Sequence, residues 1–294
     1  MNPARALQTE VSTPKDLRVE FARAADGIAV ARLSDLVFAM VPAGDGHYFL
    51  ASAWRVSRPL TELKREDFYS HHGAVADEAA FRDRMVEQAE HCRELRLLSR
   101  QTVRMTCSTP WGPSQGATAY ADGIVCHTTA GHGGFHLSSA RNAKVHQTLR
   151  ADGGWYEEDA AWAIVACTFP DLFTAYERKC ADKTTRDSWP DAWEEIHGRS
   201  LAPGESCAKD AQAFAREHAE DWIVISALRS EHHPGMTEVI ATIGGTRGEH
   251  VDERRFLVPS QEYAVGRFGF VIDEGKHVAY GGPSSFAGWR GRVA

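Results

Sequence analysis

No run in this 294-residue chain approaches the ~20 apolar residues of a membrane-spanning helix, so no membrane partner is expected. The polar stretch 1–14 has no apolar core, and an export signal is not expected there. The six cysteines (Cys92, Cys107, Cys126, Cys167, Cys180 and Cys207) contain no Cys-x-x-Cys pair. Six in a chain this long do not make a disulfide framework, and a reduced, cytoplasmic setting fits that usage. Each thiol then reads as a small buried hydrophobe. A basic excess is also missing: 33 Lys and Arg against 40 Asp and Glu give a formal net charge of -7. That balance opposes an extended nucleic-acid surface. The acidity is equally too thin for a DNA mimic.

What is present is globular composition, 43% hydrophobic, enough for one large domain or two smaller ones. Residues 1–15 read as a disordered lead-in. β-prone runs follow at 17–22, 28–33, 36–41 and 48–56, with a hairpin signal at Pro42-Ala43-Gly44-Asp45-Gly46. Phe81, Met85, Ala89 and Cys92 then recur at helical spacing, predicting an amphipathic helix over 77–98 capped near Asp77. Residues 16–105 thus form a small N-terminal β-rich subdomain with one helix.

From 106 onward a C-terminal α+β domain is expected. Its strands fall at 103–107, 117–120 and 124–128, its helices at 138–150, from near Tyr156, and at 171–180, 190–197 and 205–218. Strands return at 222–228, 236–243, 255–258 and 268–272. The order predicts an α+β fold: an antiparallel β-sheet meander with a central helical segment, plus the N-terminal β-rich subdomain.

The chemistry concentrates in two segments. The first is Thr128-Thr129-Ala130-Gly131-His132-Gly133-Gly134-Phe135-His136-Leu137-Ser138. It reads as a strand, a glycine-dense loop and a helix N-terminus, so positive φ is expected at one or more of Gly131, Gly133 and Gly134. Free backbone N–H groups there attract an anion, with Gly131, Gly133, Gly134, Ser138 and Arg141 as ligand-binding candidates and Lys144 assisting. The run is neither Gly-x-Gly-x-x-Gly nor a P-loop.

The second segment is Gly153-Gly154-Trp155-Tyr156-Glu157-Glu158-Asp159. Its acids are candidates to orient His132 as a general base, making His132, Glu157, Glu158 and Asp159 the catalytic set. The same acids also suit the first turn of a helix, where carboxylates complement the dipole. A helix over 138–150 followed by an antiparallel return would hold them away from His132. His127, His132 and His136 with these acids admit a metal, although no His-Glu-x-x-His or closed Cys/His set occurs. No cofactor is named by the sequence.

His132-Gly133 and Ala163-Ile164-Val165-Ala166-Cys167 resemble the spacing of caspase-like peptidases over two short patches. Thr168-Phe169-Pro170 replaces the glycine-containing turn those enzymes carry, and a buried thiol is the competing reading of Cys167.

A broader likeness covers 111–286. The blocks Thr129 to Ser138, Arg141-Asn142, Gly153 to Asp159, Trp162-Ala163-Ile164-Val165, Asp221-Trp222-Ile223-Val224 and Arg255-Phe256-Leu257-Val258-Pro259 resemble a bacterial family of unknown function borne on plasmids and phage-like elements. The resemblance implies an accessory role in a mobile element, such as counter-defence, with no catalytic roles to carry over. Two functions are therefore expected to compete. One is a mobile-element accessory binding a host defence protein or small anionic ligand at the 131–134 loop. The other is a hydrolase of phosphate or amide substrates using His132.

Overall fold

The computed structural model of the protein describes residues 17–248 and 250–287, so the reading of 1–15 as a lead-in lies outside the described residues. The chain divides into two compact units, one ending at Thr185 and one beginning at Arg186. The boundary near 105 read from the sequence falls inside the first unit and cuts its second sheet, after the strand Gln101–Val103.

The first sheet is an antiparallel meander of β1 (Glu20–Arg23), β2 (Ala29–Leu33), β3 (Leu36–Pro42), β4 (Tyr48–Trp54) and β5 (Ala74–Val75), in that order. The expected hairpin joins β3 to β4 through a 3-10 turn at Gly44–Gly46. Helix α1 (Glu78–Leu97) begins where predicted, with the Asp77 carboxylate accepting from Ala80 N at 2.8 Å. Its Phe81, Met85 and Ala89 form one buried stripe that packs with Ala31, Phe38 and Leu50 of the sheet. Full burial of Phe81 or Met85 contributes about 1.5–3 kcal/mol each. Leu60, Leu63 and Phe68 cover the other face.

The second sheet contains β6 (Gln101–Val103), β9 (Gly116–Ala121), β10 (Ile124–Thr128), β11 (Gly133–Leu137) and β12 (Trp155–Glu157), in the order β12-β11-β10-β9-β6. A small ribbon of β7 (Ser108–Thr109) and β8 (Gly112–Pro113) precedes β9. A short α2 (Ser139–Asn142) lies between β11 and β12, and α3 (Trp162–Thr168) and α4 (Ala175–Ser188) follow. Phe173 ties this sheet to its helices, 5.9 Å from the Phe135 ring and 5.3 Å from the Tyr120 ring. Arg100, stacked 4.2 Å over Tyr120, pairs with Glu177 at 2.6 Å.

The second unit holds α5 (Pro190–His197), α6 (Cys207–Glu217) and an antiparallel sheet of β13 (Trp222–Arg229), β14 (Met236–Ile243), β15 (Glu253–Pro259) and β16 (Val278–Ala279). Ser206 caps α6 by accepting from Lys209 N. Trp222, Val239, Ala241, Phe256, Val258 and Ile272 form the core. Glu238, fully buried, meets Arg255 at 2.8 Å and accepts from Ser284 Oγ and Ser285 N. The run 268–272 is not a regular strand; an isolated bridge pairs Ile223 with Val271. The α+β class with an N-terminal sheet is the observed one. No helix of the described residues is long and apolar enough to cross a membrane.

Candidate functional site

The glycine-dense segment is the turn of a β-hairpin, not a loop running into a helix. β10 and β11 pair in register, Thr128 against Gly133 and His127 against Gly134. Thr129 closes the turn: its N–H donates to His132 O at 2.8 Å, and its hydroxyl donates to the same oxygen at 2.6 Å. Ala130 and Gly131 are left at the tip, and the His132 side chain stands at the rim, 59% exposed.

Positive φ was expected here and is absent at Gly131, Gly133 and Gly134. Two of these glycines are required for close approach instead. A Cβ at Gly133 would fall 2.6 Å from both Glu158 Oε2 and His127 O. A Cβ at Gly134 would fall 2.5 Å from the Trp111 ring. The left-handed residues are Gly153 (φ 77°) and Gly154 (φ 74°), which turn the chain into β12.

The predicted helix over 138–150 is also corrected. Ser138 does cap a helix, its Oγ accepting from Arg141 N at 3.4 Å, but α2 ends after four residues. Tertiary bonds outcompete its continuation. Asn142 Nδ2 donates to Ala151 O at 2.9 Å, and Tyr156 OH donates to Asn142 Oδ1 at 2.5 Å. Arg150 donates to the carbonyls of Val145 and Ala143. The segment at Tyr156 is then a strand rather than a helix, with Gly134, Phe135 and His136 of β11 facing Glu157, Tyr156 and Trp155 of β12. Glu158 N continues the ladder by donating to Gly133 O at 3.0 Å.

That strand return brings the acids to the histidine. His132 Nδ1 lies 3.5 Å from Glu157 Oε1. His132, Glu157 and Glu158 each offer one ligand atom within 4.8 Å of the others. Glu157 Oε1 is buried and has no hydrogen-bond partner among the described residues. Glu157 ends β12 and Glu158 follows it in the turn, and a carboxylate oxygen of each reaches His132 at the rim. Asp159 is not in this set; its N–H donates to Glu157 Oε2 at 2.7 Å.

The five ligand-binding candidates are not gathered. Gly131, Gly133 and Gly134 belong to the hairpin, whereas Ser138 and Arg141 lie past the far end of β11. Arg141 Nε donates to Asp122 O at 3.0 Å. Ser138 instead lines an open cavity of about 540 Å³ with His136, Asn142, Arg150 and Gly153. The three histidines do not assemble either. His127 is buried, its Nδ1 3.0 Å from Ser114 Oγ and 3.6 Å from Cys107 Sγ, and His136 packs 4.4 Å from the Trp155 ring. Burial, then the nearby His136, holds His127 below the usual imidazole range; burial does the same to His136.

Cys167 lies at the exposed surface of α3 rather than buried, its Sγ 3.6 Å from Thr185 Oγ1; desolvation of the sulfur still pushes its thiol up, which opposes a nucleophilic role. Burial, reinforced by the Glu158 carboxylate, pushes Cys126 up to about 11. All six cysteines are free. Sequence reasoning missed Trp111, which covers Gly134, and Thr129, which fixes the turn; a threonine three residues before His132 was the available signal for the second.

Residues 104–219, which include His132, Glu157 and Glu158, match the model of a family described as Domain of unknown function (DUF7007). No curated protein and no solved structure matches the chain.

Proposed function

We propose that the rim of the second sheet is a hydrolytic site for phosphate or amide substrates, with His132 as general base. The observation that carries this is the approach of an exposed imidazole to a buried carboxylate oxygen that has no other partner. Closing the 3.5 Å separation by about 0.5 Å makes a hydrogen bond from Nδ1–H to Glu157 Oε1. Nε2 is then the atom that accepts a proton from water, and the Glu157 carboxylate offsets the imidazolium that forms. The exposed rim admits both water and an extended substrate.

The test is turnover of bis-p-nitrophenyl phosphate and a panel of p-nitroanilides by the full chain. His132→Ala and Glu157→Gln are expected to lower kcat by roughly 10²–10⁴. An inactive wild-type chain, or an unaltered His132→Ala variant, overturns the reading.

A second reading, binding without turnover, is favoured by the cavity at Ser138 and Arg150. Its mixed lining places Ser138, Ser139, Asn142 and Arg150 where a small anion could be held. Joined to the family resemblance of the surrounding blocks, it describes an accessory protein of a plasmid or other mobile element engaging a host factor. The six free thiols support work in a reducing, cytoplasmic compartment. Thermal shift with inorganic phosphate, lost in Arg150→Ala, is the expected result; no shift at millimolar phosphate counts against it.

A further inference from the structure

We infer that His132, Glu157 and Glu158 bind a divalent first-row transition cation of the Zn²⁺ or Mn²⁺ class. The inference rests on the same rim being the functional site, but not on His132 acting as a base. With a cation present the imidazole is a ligand, and water is activated on the cation instead.

Three observations converge. The donor set is one imidazole and two carboxylates, a mixture that suits zinc or manganese and lacks the all-oxygen character of calcium or magnesium sites. Three protein ligands leave positions open for water or substrate, as in catalytic rather than structural centres. The charge is also uncompensated. No Lys or Arg of the described residues pairs with Glu157 or Glu158, and Glu157 Oε1 is buried without a hydrogen bond. Two adjacent carboxylates repel one another unless a cation stands between them.

The dimensions fit after closure. Two donors bound at about 2.1 Å to one tetrahedral ion stand about 3.4 Å apart. The donor atoms here lie within 4.8 Å of one another, so the widest pair closes by up to about 1.4 Å. His132 and Glu158 are exposed and free to rotate that far. The backbone around them is already fixed by the Thr129 turn and the Glu158 N–H to Gly133 O bond. Gly133 completes the cradle, since any Cβ there would displace Glu158 Oε2.

The experiment is isothermal titration of metal-stripped full chain with ZnCl₂ and MnCl₂, without substrate. One equivalent is expected to bind, weakened at least ~10-fold in His132→Ala and in Glu158→Gln. His232→Ala/His233→Ala removes an exposed histidine pair elsewhere and is expected to bind as wild type. Circular dichroism confirms that each variant is folded; Glu158→Gln, at an exposed position, carries the test if His132→Ala is not. No binding by the wild-type chain overturns the inference, as does equal binding by Glu158→Gln. The hydrolysis assay run in EDTA separates the two readings. Turnover that survives chelation leaves His132 as base and rejects the cation, whereas cation binding without turnover keeps this site and rejects the hydrolase.

Discussion

Gly133 and Gly131 stand two residues apart in one hairpin, and alanine at each is expected to act with opposite sign. At Gly133 the added Cβ lies 2.6 Å from His127 O, where ordinary contact begins at 3.4 Å. The difference, 3.4 − 2.6 = 0.8 Å, must come from β10 and β11 moving apart. Glu158 Oε2, equally close, belongs to an exposed side chain and swings away cheaply, but a strand carbonyl does not. Overpacking of this kind costs about 1–3 kcal/mol. For a unit of this size that lowers Tm by roughly 2–12 °C. At Gly131 a Cβ meets nothing within 4 Å and φ is not left-handed. Alanine there restricts the unfolded chain and stabilises by about 0.4–1 kcal/mol. Differential scanning calorimetry of both variants decides it. Gly133→Ala melting with the wild type, or Gly131→Ala melting below Gly133→Ala, would refute the claim that close approach, not backbone conformation, fixes the glycines. Adding Glu158→Ala to Gly133→Ala is expected to recover only a small part of the loss.

Three further outcomes follow from the charge pattern. Burial alone would push Glu238 up, but Arg255, the Ser285 N–H and the Ser284 hydroxyl outweigh it and hold the carboxyl below its usual range. Glu238→Ala strips buried Arg255 of its carboxylate and is expected to cost about 3–5 kcal/mol by urea denaturation, with a loss under 1 kcal/mol counting against it. Glu205 is held down to about 2 by Arg199 and the Ala202 N–H, so its stabilising contribution is complete above pH 4.5 and is lost as pH falls toward 2. Carboxyl-carbon NMR of Arg199→Ala should show Glu205 titrating nearer 4.5; an unmoved midpoint contradicts the pairing. Cys126, pushed up to about 11, should resist iodoacetamide at pH 8 in the native chain, and Cys126 appearing among the first alkylated thiols by mass spectrometry would contradict its burial.

Legibility in the sequence followed the strength of local signals. Strand β14 and helix α5 have the predicted bounds, and α1 begins after its predicted cap, because periodicity and capping are written in adjacent residues. The segment 138–159 was not legible in that way. Ser138 is a true cap and the residues after it favour helix, yet Asn142 is drawn off by Tyr156 and Ala151, partners up to fourteen residues away. A dipole role for Glu157 to Asp159 assumed a helix that Trp155 and Tyr156, both strand-favouring aromatics, argued against. The meeting of His132 with the acids depends on that register. The helix-based geometry placed them apart, and the strand places them together.

The attachment of β12 has a consequence for how the rim responds to whatever binds it. Three residue pairs hold this edge strand to β11, and opening it uncovers the buried Tyr156 ring, a local cost below that of unfolding the whole unit. His132 rides on the hairpin while Glu157 and Glu158 ride on the edge, so a ligand spanning them staples one to the other. At a hundredfold excess over its Kd, such a ligand adds about 2.7 kcal/mol to the docking of β12. Amide hydrogen exchange at 155–158 would therefore slow on binding, making the edge strand a built-in gauge of occupancy.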